Sequence, residues 1–244
     1  MRALAMVMVS MVAFAAVAVA SGTPQASAAA DLAGKVIVLD PGHGAAADGP
    51  LTRQVPTGRG GTKDCQTTGT ATEAGFPEHT FTWDVALLVR DMLTQRGATT
   101  SMSRADDTGP APCVDQRAAA ANAAHPDAIV SIHGDGGPAS GHGFHVNYSA
   151  PPLNDAQRGP SIALADAMRD ALVSSGLTES NYIGSGGLYG RADLAGLNLA
   201  EYPAVLVELG NMRNADDAAR MTTEQGRAEY AAAVVRGITT YLGV

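Results

Sequence analysis

The chain has 244 residues, a formal net charge of −8 and two cysteines. Beyond a short N-terminal segment, this length suits one domain with a sizeable hydrophobic core. Nucleic-acid affinity rests on clustered cationic side chains. The acidic balance and the absence of a Lys/Arg cluster therefore argue against a nucleic-acid partner.

Residues 1–30 have the pattern of a secretory signal peptide. Arg2 supplies a positive charge, residues 3–20 are apolar and uncharged, and the small residues ASA at 26–28 suit a signal peptidase. A membrane anchor is the alternative, because the apolar run is near the length of a short span. No basic stop-transfer cluster follows it, however. We expect residues 31–244 to be the mature domain, secreted or periplasmic and without stable membrane association.

The rest of the chain alternates strand-like and helix-like segments. The first predicted elements are a strand at 35–40, a helix from 78 to Gly97, a strand at 98–103 and a helix at 114–124. Strands at 128–133 and 143–148 follow, and then a helix from 160 to Gly176. The last predicted elements are a strand at 204–209, an N-cap at Asn214 and a helix over about 223–241. The Gly-rich segments 45–77 and 181–198 are expected to line a cleft. This alternation predicts a single α/β domain with a mainly parallel, mixed sheet flanked by helices.

Cys65 and Cys113 are predicted to form a disulfide, because an exported protein folds where disulfides persist. Two free buried thiols are the alternative.

Three apolar strands end at residues that can bind or serve a metal: His43, His133 and Glu208. In open α/β sheets, the loops at the carboxyl ends of the strands converge on the functional site. Glu78 begins a predicted helix and can reach the same edge, although Glu73 is a rival. A catalytic zinc site takes three protein ligands from His and carboxylate and leaves one position open.

The other histidines are weaker candidates as ligands. His79 adjoins Glu78, but consecutive helical residues do not share a face. His142 and His145 flank a predicted strand start and are expected to line the cleft or to be exposed. His125 precedes a proline at a predicted helix end, which favours a surface position.

Six segments together resemble the zinc-dependent N-acetylmuramoyl-L-alanine amidases of the type 3 class, as found in single-domain secreted members from mycobacteria and other actinobacteria. They occur in the family's order over about residues 35–244: VLDPGHG around His43, PEHTFTWDVA around Glu78, SRADD at 103–107, R-x-x-x-A-N at 117–122, IVSIHGD around His133, and YPAVLVELGNMRN around Glu208.

The resemblance implies one Zn²⁺ bound by His43, Glu78 and His133, with Glu208 as the catalytic carboxylate. It also implies hydrolysis of the bond between N-acetylmuramic acid and L-alanine in peptidoglycan. The sequence departs from the family after His133, where GDGG replaces a common Ala-Asn pair, and after Glu208, where GNMRN replaces GFxSN. Because no wall-binding module or repeat is visible and the charge balance is acidic, we expect better activity on soluble muropeptides than on intact sacculi. We also expect a monomer.

Two other functions compete with this one. The same ligands could serve a different cell-wall zinc hydrolase, such as a peptidase or a deacetylase. A secreted binding protein that has lost catalysis is the third candidate. In the loops, Asn181, Tyr189 and Arg191 are candidate substrate contacts, and a solvated role is as plausible for each.

Overall fold

A computed structural model describes residues 31–47, 49 and 51–244. The signal-peptide prediction for residues 1–30 lies outside the described residues. The strands are β1 (Val36–Pro41), β2 (Ala46–Ala47), β3 (Gln54–Pro56), β4 (Thr62–Asp64), β5 (Thr99–Met102), β6 (Pro110–Ala111), β7 (Ala128–Asp135), β8 (His145–Ser149), β9 (Leu188–Arg191) and β10 (Ala204–Asn211). The helices are α1 (Glu78–Gln95), α2 (Val114–Ala123), α3 (Asp155–Arg158), α4 (Pro160–Ser174), α5 (Ala195–Asn198), α6 (Ala215–Met221) and α7 (Glu224–Leu242). Among these, none is long and apolar enough to span a membrane.

Six strands form the central sheet, in the order β5-β1-β7-β10-β8-β9. Strands β5, β1, β7 and β10 are mutually parallel. Strand β8 pairs antiparallel to β10, and β9 lies parallel to β8. The predicted single α/β domain with a mainly parallel, mixed sheet flanked by helices is therefore confirmed.

Side chains alternate between the two faces of this sheet. One face packs against α1, α4 and α7 and forms the main core, which includes the buried residues Ile37, Leu39, Val130, Ile132, Val205 and Val207. The residues between them face α2 and α5, where a smaller apolar cluster contains Val38, Ile129 and Ala204. Successive residues of a strand point to opposite faces, so each strand contributes to both layers. Toward the carboxyl ends, the second face becomes polar.

Two strands, β7 and β10, extend further along the chain than the sequence predicts. Strand β7 continues two residues past His133, and β10 continues two residues past Leu209. The backbone N–H of Met212 donates to the carbonyl of Asp135 at 2.8 Å, so pairing between these strands persists beyond the apolar runs. The apolar run thus marks where a strand is covered on both faces, whereas hydrogen bonding sets its length.

The Gly-rich segments contain structure that periodicity does not show. Strands β3 and β4 form an antiparallel hairpin, and β9 and α5 lie within residues 181–198. A disulfide joins Cys65, just after β4, to Cys113, the residue before α2, with the Cα atoms 4.6 Å apart. Both cysteines are buried with Val55 of the hairpin. The cross-link therefore fastens the hairpin segment to the main domain.

A buried ion pair ties β1 to α2 on the polar part of the second face. Arg117 donates through Nη1 to Oδ1 of Asp40 at 2.9 Å, and the side chain of Arg117 is 7% exposed. Ser103 and Ser131 donate to the two carboxylate oxygens at 2.5 and 2.7 Å. Burial alone would raise the pKa of Asp40, but Arg117 and the two hydroxyl groups outweigh it and lower the pKa to about 2.

Reducing the disulfide should destabilise the domain. The cross-link spans 48 residues, and closure of a loop of that length is worth up to about 4 kcal/mol of unfolding free energy on the chain-entropy model. We expect the urea midpoint of the same protein to fall when dithiothreitol is present. A thiol titration of the unfolded, unreduced protein that finds two free thiols would contradict the cross-link.

Asp40 should stabilise the fold in a pH-dependent way. Because its pKa falls from an ordinary 3.8 to about 2 on folding, the stabilisation is complete above pH 4 and is lost as the pH falls toward 2. It amounts to about 2 kcal/mol at pH 7 and about half of that at pH 3. Urea unfolding of Asp40→Asn against the natural protein, at both pH values, measures the difference. The control Asp91→Asn removes an exposed ion pair with Arg90 and should change stability by less than about 1 kcal/mol.

Candidate metal centre and catalytic carboxylate

Three of the predicted site residues meet at the carboxyl edge of the sheet. One ligand atom from each of His43, Glu78 and His133 lies within 4.8 Å of the others. Nε2 of His43 is 3.1 Å from Oε1 of Glu78, and Nδ1 of His133 is 2.9 Å from the same oxygen. The two imidazole rings stand edge to face, with their centroids 4.9 Å apart.

His43 reaches the cluster from a turn directly after β1. It has a positive φ of 60°, which is uncommon for a residue with a side chain. Its neighbour Gly42 has no side chain to obstruct the site, since a Cβ there would lie 2.3 Å from the ring of His133. The Gly-His-Gly sequence therefore serves the close approach of the two rings.

Glu78 enters the cluster as the first residue of α1, where the helix dipole favours a carboxylate. Its Oε2 accepts a hydrogen bond from the backbone N–H of Thr70 at 2.9 Å, and its Oε1 accepts one from Gly134 at 3.2 Å. The rival Glu73 lies elsewhere: its side chain is 74% exposed and pairs with Arg213 at 2.5 Å. The structure thus places Glu78, and not Glu73, beside the two histidines.

Neighbouring groups orient the histidines. Nδ1 of His43 donates to the carbonyl of Thr67 at 2.9 Å, which turns Nε2 toward the cluster. Outer hydrogen bonds of this kind fix the tautomer of a metal-binding imidazole. The carbonyl that orients His43 belongs to Thr67 in the long loop after β1, so this loop helps to build the site.

The charges within the cluster follow from burial and contact. Burial lowers the pKa of His133, which favours the neutral ring. Burial would also lower the pKa of His43, but hydrogen bonding and charge from Glu78 outweigh it and raise that pKa. For Glu78, hydrogen bonds from His133 and His43 overcome the cost of burial and hold the carboxyl pKa well below its usual range. The carboxylate is therefore ionised, as a metal ligand must be.

The donor set fits a catalytic zinc ion. Two imidazole nitrogens and one carboxylate oxygen make up the His₂Glu ligand set of several zinc hydrolases, in which the fourth position is left for water or substrate. Imidazole also excludes a simple calcium or magnesium site, because those ions prefer oxygen ligands throughout.

Glu208 lies beside the cluster on the same face of the sheet. It is the register partner of His133 on the neighbouring strand, so the two side chains project to the same side. Its Oε2 is shielded from solvent and has no hydrogen-bond partner within the described part of the chain. Burial raises the pKa of Glu208 well above its usual range, and the charges of Glu78 and Asp135 add to this effect.

The remaining histidines have different positions. Nδ1 of His79 lies 2.8 Å from Asp107, and His79 is not part of the cluster, as expected. His125 is exposed beside Tyr202, also as expected. His145 is 1% exposed, so the expectation of an exposed position is wrong for this residue, and it is the register partner of Glu208 on β8. The sequence offered no signal for this, since it depends on β8 pairing antiparallel to β10.

A family model described as N-acetylmuramoyl-L-alanine amidase matches residues 37–240. The chain belongs to this amidase family. The matched region begins in β1 and ends within α7, so it includes all four candidate site residues and the whole central sheet.

Relatives within the amidase family are similar over most of the chain. N-acetylmuramoyl-L-alanine amidase Rv3717 of Mycobacterium tuberculosis is 58% identical over 230 residues, which cover 93% of this chain and 95% of that protein. The crystal structure of the amidase Ami1 from Mycobacterium smegmatis is 59% identical with a TM-score of 0.86, covering 87% of this chain and 98% of that one. The apo Ami1 from Mycobacterium abscessus is 61% identical with a TM-score of 0.85, covering 86% and 99%.

Gly69 should control metal affinity, because it touches two of the three candidate ligands. A Cβ there would lie 2.8 Å from Oε2 of Glu78 and 2.9 Å from the ring of His43. We expect Gly69→Ala to weaken zinc binding by about 10- to 100-fold, the usual effect of disturbing the groups that orient metal ligands. A competition titration with a chromophoric chelator measures this.

Gly75→Ala is the matched control. Gly75 lies in the same loop with φ 86°, close to the φ of 77° at Gly69, but a Cβ there would meet nothing within 4 Å. Both substitutions strain the backbone alike, at roughly 1 kcal/mol. Equal zinc affinities for the two variants would contradict the contact argument.

Proposed function

We propose that the chain is a secreted, zinc-dependent amidase that hydrolyses the bond between N-acetylmuramic acid and L-alanine in peptidoglycan fragments. In this proposal residues 1–30 are a signal peptide and residues 31–244 the catalytic domain. His43, Glu78 and His133 hold the zinc, and Glu208 is the catalytic carboxylate. The observation that carries it is the position of Glu208, next in register to His133 and with one oxygen unpartnered.

The chemistry needs an activated water and a group that carries a proton. Zinc, when bound, lowers the pKa of water and polarises a carbonyl oxygen. In this proposal Glu208 takes a proton from the attacking water and gives it to the nitrogen of the leaving amine. The C–N bond breaks, and the products are a lactyl carboxylate on the sugar and a free α-amine on the peptide.

The environment of Glu208 suits this exchange. Burial and two nearby carboxylates make the proton bind more firmly than to an ordinary Glu, which helps a group that must also act as an acid. A cation bound by His43, Glu78 and His133 would oppose this rise in the pKa of Glu208, because a nearby positive charge favours the ionised carboxyl group. Burial and the neighbouring carboxylates thus raise the pKa of Glu208, and a cation at the three ligands would lower it again.

Export agrees with the substrate and with the cross-link. Peptidoglycan lies outside the cytoplasmic membrane, and a disulfide such as Cys65–Cys113 persists in oxidising compartments. The N-terminal charge, apolar run and small residues supply the matching export signal. All four site residues come from one chain, which supports activity as a monomer.

Substitution of Glu208 by Gln tests the proposal directly. Zinc-loaded protein should cleave muramoyl dipeptide into N-acetylmuramic acid and a dipeptide, identified by mass. Glu208→Gln should lower kcat by about 10²- to 10⁴-fold, the usual contribution of a general acid and base. It should retain one zinc per chain by elemental analysis, because Glu208 is not among the ligands.

Glu201→Gln is the control, since it makes the same change at an exposed position and should leave cleavage unchanged. Free amino acids or acetate among the products would indicate a peptidase or a deacetylase. Intact muramoyl dipeptide despite bound zinc would refute the proposal for this substrate. Full activity of Glu208→Gln would refute the role of Glu208.

A further inference from the structure

His145 completes a row of three side chains across the sheet. Glu208 is the register partner of His133 on one side and of His145 on the other. Residues in one row of adjacent strands project to the same face, and the strands are spaced by about 4.8 Å. Asp135 and Arg191 lie near enough to affect the charge of both Glu208 and His145. His145 therefore belongs to the same site, at the end of the row away from the metal ligands.

Two tyrosine rings fix the orientation of His145. The centroids of Tyr182 and Tyr189 lie 6.4 and 6.3 Å from that of the imidazole, both in edge contacts. Tyr182 is itself held, since its hydroxyl donates to Asp135 at 2.7 Å. Burial lowers the pKa of His145 to about 4 although Asp135 opposes it, so the ring is neutral and offers one donor and one acceptor at pH 7.

One ring nitrogen of His145 has no hydrogen-bond partner among the described residues. Nδ1 is buried and makes no hydrogen bond to any described residue. A buried polar atom without a partner is costly, so such atoms usually serve a ligand, a water or a functional site. Packing between two tyrosines would be served as well by Phe, which has no polar atom to satisfy. The imidazole thus indicates a hydrogen bond to a group other than those in the described part of the chain.

The order His133, Glu208, His145 across the sheet indicates which part of the substrate would form that hydrogen bond. The scissile carbonyl must lie at the metal ligands, and the amide nitrogen must reach Glu208 to receive its proton. Atoms attached beyond the nitrogen then extend toward His145. We propose that His145 hydrogen-bonds the backbone carbonyl of the first amino acid of the stem peptide, and so selects a peptide amine as leaving group. This inference rests on the proposed function.

Two substrates that differ only in the carboxamide group that carries this carbonyl test the contact. N-acetylmuramoyl-L-alaninamide carries it, whereas N-acetylmuramoyl isopropylamide has a methyl group in place of the carboxamide. A site built to hydrogen-bond a group discriminates against the analogue that lacks it. The quantity measured is the ratio of kcat/KM for the first substrate to kcat/KM for the second. We expect His145→Phe to lower this ratio about tenfold, the loss of one hydrogen bond.

Two variants separate the hydrogen bond from packing. His145→Asn places an amide near the position of Nδ1 and should recover part of the ratio. His125→Phe is the matched control, because His125 also stands edge to face with a tyrosine, Tyr202, at 5.7 Å, but at an exposed position outside the site. It should keep the natural ratio. A ratio unchanged in His145→Phe, or lowered equally in His145→Asn, overturns the proposal.

A binding measurement keeps this test independent of turnover. In Glu208→Gln, labelled with ¹⁵N-histidine, the imidazole resonances of His145 should shift on addition of N-acetylmuramoyl-L-alaninamide and much less with the isopropylamide. If the natural protein cleaves muramoyl dipeptide but neither of these compounds, the proposed function stands and the resonances decide this inference alone. If it cleaves none of the three, the proposed function fails. Equal shifts with both compounds, or none with either, would overturn the inference about His145.

Discussion

The site depends on one geometric constraint, the alternation of side chains along β1, β7 and β10. In these strands every second residue enters the main core beneath α1, α4 and α7. The residues between them line the opposite face, where Asp40, Ser131, His133 and Glu208 follow apolar neighbours toward the carboxyl ends. A shift of one residue in any strand would exchange the two sets. The large apolar core therefore holds the register that aligns the candidate site residues.

Close packing around the ligands is achieved with glycine and with outer hydrogen bonds. Gly42 allows the His43 turn to pass over the ring of His133, and Gly69 allows the loop to cover Glu78. Below the ligands, the Asp40–Arg117 pair carries a full hydrogen-bond complement on the carboxylate. A buried pair is rarely a large source of stability against an apolar replacement. Here it joins β1 to α2 and keeps the floor of the site polar and ordered.

Much of this arrangement was predictable from the sequence because it depends on local patterns. The β-branched runs marked β1, β7 and β10, and their position before His43, His133 and Glu208 predicted a shared edge. The choice of Glu78 over Glu73 came only with the family resemblance, since the spacing of residues does not show how a loop folds. The place of His145 was not predictable. It requires that β8 run antiparallel beside β10, and the periodicity of five residues does not report pairing direction.

Glu78 and Asp135 stand close enough to Glu208 at this edge to raise its pKa. This repulsion is a cost that the folded protein carries without a cation. A divalent ion at the histidines would offset it, because it would neutralise Glu78 and lessen the repulsion felt by Glu208. Binding to the folded state alone then adds its free energy to the stability of the domain. The arrangement that raises the affinity of Glu208 for a proton is thus the same one that favours a cation beside it, so a proton on Glu208 and a cation at the candidate ligands would be coupled through charge.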